Sequence, residues 1–118
     1  MYCSYTHFRV EKWWAVPLFQ WYALRSGTQA ARTKGLVNMQ TWASDLRNYH
    51  TLTVWMSERD MLKFRNSGAH LKAMKWSAKM GKGYTTGWES LTMPARQEGR
   101  LRLEDKLQKA DLAAWLSA

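Results

Sequence analysis

The step Ser67-Gly68-Ala69-His70 places one imidazole in a stretch otherwise made of lysine and apolar residues. At 100° per residue, a helix running on from Ala69 gathers Lys72, Lys75, Lys79 and Lys82 into a sector about 80° wide. His70 lies nearly opposite, beside Leu71 and Ala78 and in line with Met74 and Ser77. A histidine on the inward side of a helix has three possible duties. It can carry a proton, ligate iron as the neutral base, or sit at the core edge with its ring nitrogens on backbone partners. Met74, one turn on, reads as core filler rather than a second ligand.

Other reactive chemistry is sparse. Three histidines, one cysteine and no HxxxH or CxxC spacing make a dedicated zinc site an unexpected outcome. No nucleophile signature is present. The lone Cys3 excludes an intramolecular disulfide and points to a reducing compartment. The aromatic, polar N-terminus lacks the apolar core of a secretory signal, so a cytoplasmic location is expected. No run approaches the roughly 18 apolar residues of a membrane helix, and no membrane partner is expected.

Two features depart from the average: a formal charge of +9 and eight tryptophans in 118 residues. Cations with aromatic rings suit nucleic acid, where rings stack on bases and cations track phosphates. They equally suit an aromatic cavity inside a basic, solvated shell. No acid occurs between Asp60 and Glu89, whereas Lys63, Arg65, Lys72, Lys75, Lys79 and Lys82 all do. Such a stripe is a solvated helix face or a seat for an anionic partner.

These residues are positioned by a readable series of elements. Tyr5 to Val16 is β-branched and aromatic and reads as a strand, and Pro17 suits the first turn of the helix that follows. That helix has a small face made of Phe19, Ala23, Ser26, Gly27 and Ala30. LVNMQTWA and YHTLTVW form a hairpin across SDLRN. Alternation sets Val37 and Met39 with Leu52 and Val54 on an apolar face. Asn38, Gln40 and Trp42 then join Tyr49, Thr51, Thr53 and Trp55 on a charge-free, aromatic-polar face that looks like a cavity wall. Ser57 with Asp60 caps a helix that pauses at Asn66-Ser67-Gly68 and stops at Gly81 and Gly83. YTTGWESL is the last strand, and LEDKLQKADLAAWLSA a C-terminal helix. The order predicts an α+β, ferredoxin-like βαββαβ domain over residues 1–94 with a helical tail over 95–118.

The stretch Thr51 to Trp55, the Ser57 cap, Phe64 and the Ser67–His70 step together resemble the antibiotic-biosynthesis-monooxygenase-like proteins. More narrowly, they are similar to small bacterial relatives of spheroidene monooxygenase. The resemblance covers about Phe8 to Ser90. It implies a dimeric α+β barrel, in which two sheets of a homodimer pack face to face around a pocket. It further implies a monooxygenase-like oxidoreductase, haem-binding or cofactor-independent, acting on an apolar aromatic or polyene molecule. His70 and Trp55 would be the catalytic residues, His70 as proton carrier or haem ligand and Trp55 packing the substrate or relaying an electron. Asn38, Gln40, Trp42, Thr51, Thr53 and Phe64 would line the pocket. On the first strand, where such proteins carry an asparagine, this chain offers His7 and Arg9. A non-catalytic dimeric ligand-binding module would use the same pocket. Nucleic acid is the least favoured partner, because the sheet face is committed to the dimer.

Overall fold

The computed structural model describes residues 1–117. The chain runs β1 (Tyr2–Val10), a 3-10 turn (Trp13–Ala15), α1 (Val16–Ala31), β2 (Leu36–Ala43) and β3 (Asn48–Trp55). It continues through α2 (Glu58–Arg65), α3 (Gly68–Met80), β4 (Gly81–Glu89) and α4 (Arg96–Lys109) to a second 3-10 turn at Ala113–Ser117. The strands form one antiparallel sheet in the order β2-β3-β1-β4. This is the ferredoxin-like α+β arrangement read from the sequence.

β1 lies earlier than expected, because a strand persists only where neighbours can pair with it. Tyr2 pairs with both Trp55 and Glu89, while Val10 already faces the first residue of β4, Gly81. Beyond Val10 no strand is available, and Trp13 and Trp14 turn toward α1 despite their β propensity. β4 also starts earlier, at Gly81 rather than Tyr84. A Cβ there would lie 2.0 Å from the Arg9 carbonyl oxygen, so glycine permits helix to become strand against β1. At α2 the expected cap holds: Ser57 Oγ accepts the Asp60 N–H at 3.2 Å.

The hairpin corrects the expected faces. Its turn opposes Ala43 to Tyr49, so Thr41 faces Thr51 and Met39 faces Thr53. Directly opposed residues share a face of an antiparallel pair. Met39, Thr51, Thr53 and Trp55 therefore point together toward α1 and α2. Asn38, Gln40 and Trp42 point the other way, with Val54, Leu52 and His50. The single wall expected from alternation is two walls on opposite sides of the sheet.

That second side is covered by the chain's own C-terminal region. Leu103 and Leu107 of α4 are fully buried against Cys3, Tyr5, Leu52, Val54 and Trp88. Gly99 allows the close approach, since a Cβ there would stand 2.8 Å from the Tyr5 ring. α4 begins at Arg96 and stops at Lys109, earlier at both ends than the expected Leu103–Ala118 helix; Ala118 lies outside the described residues. The stop is a Schellman motif. Asp111 adopts φ 60°, its N–H donates to the Gln108 carbonyl at 3.1 Å, and the Leu112 N–H to that of Leu107 at 2.7 Å. The reversal brings Trp115 back onto β1.

Under this cover sits a polar network that alternation also sent to this face. The Tyr5 hydroxyl donates to His50 Nδ1 at 2.7 Å, which leaves the His50 Nε2–H for Ser44 Oγ at 3.0 Å. His7 Nε2 and Arg9 Nε both donate to Asn48 Oδ1, at 2.9 and 3.0 Å. Asn48 Nδ2 donates to the Asp45 carboxylate at 2.9 Å. Arg9 also donates to the Trp115 carbonyl at 2.7 Å, its guanidinium lying 4.4 Å from the centre of that indole. Trp42 stacks on His50 and lies beneath Arg96, which donates to Gln40. Burial pushes His50 down to about 4 and lowers His7, and it raises Tyr5 to about 12. Both imidazoles are thus held toward the neutral form, and their 4.3 Å ring separation disfavours charging both at once.

Two outcomes follow from this layer. Leu103→Ala and Leu107→Ala each lower unfolding free energy by about 2–5 kcal/mol in urea titration, because each leaves a cavity over β1. Lowered native histidine pKa values mean that the unfolded chain binds more protons than the native chain as pH falls below about 6.5. Stability therefore declines between about pH 6.5 and 5, above the carboxylate range. His50→Gln is less stable at pH 7 but loses less of its urea midpoint over that interval.

Candidate functional site

On the α1–α3 side the apolar core is split in two. One cluster joins Trp55 to Ala30, Met61 and Phe64, with Tyr2, Leu36 and Met39 against it. The other joins Val10, Ala15 and Met80, with Phe8, Phe19, Tyr22 and Tyr49. Between them the sheet presents Ser4, Thr6, Thr51, Thr53 and Thr85. Thr6 donates to Thr85 Oγ1 at 3.0 Å, and Thr85 to the Tyr5 carbonyl at 3.0 Å. Ser4, Thr6, Thr51 and Thr85 are only half-buried although helices pack on the same face. The helical layer therefore grips the sheet at two ends and leaves a hydroxyl-lined seam between them.

That layer is lightly held. Ala30 is the one fully buried residue of α1 and Met80 that of α3.

At one end of the seam, Trp55, Phe64 and His70 form a wall. The Trp55 and Phe64 rings lie 5.3 Å apart and the Phe64 and His70 rings 4.5 Å apart. His70 is held by Gln29 of α1, whose Oε1 accepts the His70 backbone N–H at 2.8 Å. Gln29 Nε2 donates to the Ser67 carbonyl at 2.9 Å, so one side chain ties the start of α3 to the end of α2. Gly68 fits this joint with φ 59°, and a Cβ there would meet Gln29 at 2.9 Å. His70 Nδ1 lies 3.2 Å from the Arg65 carbonyl, to which it donates as Nδ1–H. Nε2 then carries a lone pair that no hydrogen bond occupies among the described residues. Burial lowers the His70 pKa, with the Arg65 charge acting the same way and the carbonyl bond opposing. The ring is a neutral base at pH 7.

Two buried polar atoms beside the seam also lack partners: the Trp55 indole N–H and the Ser26 hydroxyl. An unsatisfied buried group costs about 1–3 kcal/mol, which a polar ligand atom could recover.

Of the residues expected to form a site, the fold brings together His70, Trp55, Phe64, Thr51 and Thr53, and separates Asn38, Gln40 and Trp42 onto the α4 side. Lys72, Lys75 and Lys79 face outward and His70 inward, as read from the wheel, but Lys82 belongs to β4 because the helix ends at Met80, and Met74 is 37% exposed and is not core. Gln29 was missed: it lies outside the small face of α1, and its partners across the α2–α3 joint are 35 or more residues away. Tyr5, His7, Asn48 and His50 were likewise unread as a group, since only the β1–β3 register unites them.

The His70 ring does not fit a haem. Phe64 packs on it at 4.5 Å between ring centres, and Gln29 and the Arg65 carbonyl fix its place in the fold. Shallow depressions lie elsewhere, on α4 around Glu98 and Arg102 and on α2 around Arg59 and Lys63. No group of metal-binding side chains occurs among the described residues.

No family model matches the chain, and neither does any curated protein. Solved structures do. SnoaB, a cofactor-independent oxygenase from Streptomyces nogalater, superposes with a TM-score of 0.65 at 15% identity. The match covers 80% of this chain and 97% of SnoaB. A putative antibiotic biosynthesis monooxygenase from Nitrosomonas europaea gives 0.67 at 14% identity, covering 78% and 100%. Another from Deinococcus radiodurans gives 0.70 at 9%, covering 80% and 97%. About a fifth of this chain falls outside each match, a share equal to the length of α4 and the residues after it. The narrower likeness to spheroidene monooxygenase relatives has no counterpart in these matches. The ferredoxin-like sheet with its α1–α3 layer is the fold of the antibiotic biosynthesis monooxygenases.

Proposed function

We propose that this chain is a monooxygenase-like protein that works without haem on an apolar aromatic or polyene small molecule bound in the seam. One observation carries the reading: His70 is a neutral imidazole with Nδ1–H committed to a carbonyl and Nε2 free, beside Phe64, which in turn packs on Trp55. Nε2 accepts the acidic proton of an enol or phenol. The resulting anion is the electron donor to O2, so that one oxygen atom enters the substrate and the other leaves as water. All four electrons come from the substrate and no metal is needed. The aromatic clusters at either end hold apolar rings, and the Trp55 N–H and the hydroxyl strip supply donors for the anionic oxygen. The likeness to a cofactor-independent oxygenase supports this reading. The single base in the seam is equally consistent with a ligand-binding module in which His70 is structural.

Oxygen uptake with a panel of polycyclic phenols separates the two. His70→Gln is expected to lower uptake by about 10²–10⁴-fold, the usual contribution of a general base, while circular dichroism is unchanged. Because the base must be deprotonated and its pKa is lowered, activity is already full at pH 7 and falls only in acid. Uptake unaffected by His70→Gln removes the catalytic reading; tryptophan quenching by the phenols without any uptake assigns a binding module. Haem titration is expected to give no sharp Soret band, and a band lost in His70→Ala would reverse the haem-free assignment.

A further inference from the structure

The outer face of the α1–α3 layer presents large apolar side chains to solvent. Leu18 (38% exposed), Trp21 (50%) and Leu24 (70%) stand on α1, and Trp14 (66%) just before it. At 100° per residue Trp14, Leu18, Trp21, Leu24 and Arg25 fall within a sector about 120° wide, opposite the side carrying Ala30 and Phe19. Trp13 and Leu46 flank it near the hairpin, and Trp76 is exposed on the neighbouring α3. Each of these four tryptophans has a cation beside it. Lys12 lies 5.9 Å from the Trp14 ring, Arg25 5.0 Å from Trp21, Arg47 5.4 Å from Trp13 and Lys79 4.4 Å from Trp76. Neither helix carries an acid: the sequence has none between Glu11 and Asp45 or between Asp60 and Glu89. Lys72, Lys75 and Lys79 project from the exposed side of α3.

We propose that this face docks on the surface of a bilayer containing anionic phospholipid. The partner must be negative, because α1 and α3 carry only basic charges, and it must accept aliphatic as well as aromatic side chains. Leu18, Leu24 and Leu46 have no π-face for a base to stack on, whereas hydrocarbon receives them. Indole rings favour headgroup depth, and the paired cations meet lipid phosphates there. The stripe runs along one straight helix about 24 Å long, suited to lying flat on a plane. No helix among the described residues can cross a membrane, so the contact is with the surface. This surface faces away from the seam, and the proposal is independent of the catalytic reading.

The test is co-sedimentation with phosphatidylcholine vesicles with and without 30% phosphatidylglycerol, read with tryptophan emission. Binding with a blue shift is expected only for the anionic vesicles and weakens as salt rises. A Trp14→Ser, Trp21→Ser, Leu24→Ser variant, altered only at exposed positions, is expected to bind at least tenfold more weakly with unchanged circular dichroism. Lys72→Glu, Lys75→Glu, Lys79→Glu is expected to lose the preference for anionic lipid. His70→Gln should bind as the parent does. No sedimentation, equal binding to neutral vesicles, or undiminished binding by the serine variant overturns the proposal. So does tight binding of a single-stranded oligonucleotide without vesicle binding, which assigns nucleic acid to the face. A dimer by light scattering that the serine variant abolishes assigns it to a second copy.

Discussion

β1 is enclosed on four sides. β3 and β4 pair with its edges, α4 covers one of its faces and the α1–α3 layer the other. Each alternate residue must therefore satisfy a different interior. Cys3 and Tyr5 meet the leucines of α4, while His7 and Arg9, on the same face, must find hydrogen bonds because water cannot reach them. Asn48 and the Trp115 carbonyl answer that need. Ser4 and Thr6 face the other layer and stay only half-buried there.

The two environments give histidines of different character from one physical cause. Burial makes all three less basic, but their partners differ. In His50 both ring nitrogens are engaged, by Tyr5 and Ser44, so it holds structure and has nothing left for a ligand. In His70 one nitrogen is engaged and one is not. His7 shares that asymmetry through its bond to Asn48, but its ring is packed against His50 and Trp115 under α4. The free nitrogen and the place beside Phe64 together mark His70 as the candidate base.

Much of the fold could be read from the chain. The order of elements, the Ser57 cap and the inward aspect of His70 follow from local patterns that the folded molecule keeps. What failed was non-local. The faces of β2 and β3 are matched by the hairpin turn, and a shift of one residue exchanges every side chain between layers. Trp13 and Trp14 have strand-like composition but no partner strand. The α4 helix was read as a separate tail because its apolar positions, Leu103 and Leu107, make sense only against Tyr5 and Leu52. Within the site, the aromatic wall was legible from Trp55 through Phe64 to His70. Gln29 was not, because a single glutamine on an amphipathic helix has no local signature for a contact so distant in sequence.

Gly99 bears on how the molecule depends on its surroundings. By admitting α4 flush against Tyr5, it lets the same polypeptide that forms the sheet also seal this face of it. Sealing then becomes a first-order event, with no threshold of abundance below which strands lie bare. A cell holding few molecules of this protein shelters its core as completely as one holding many.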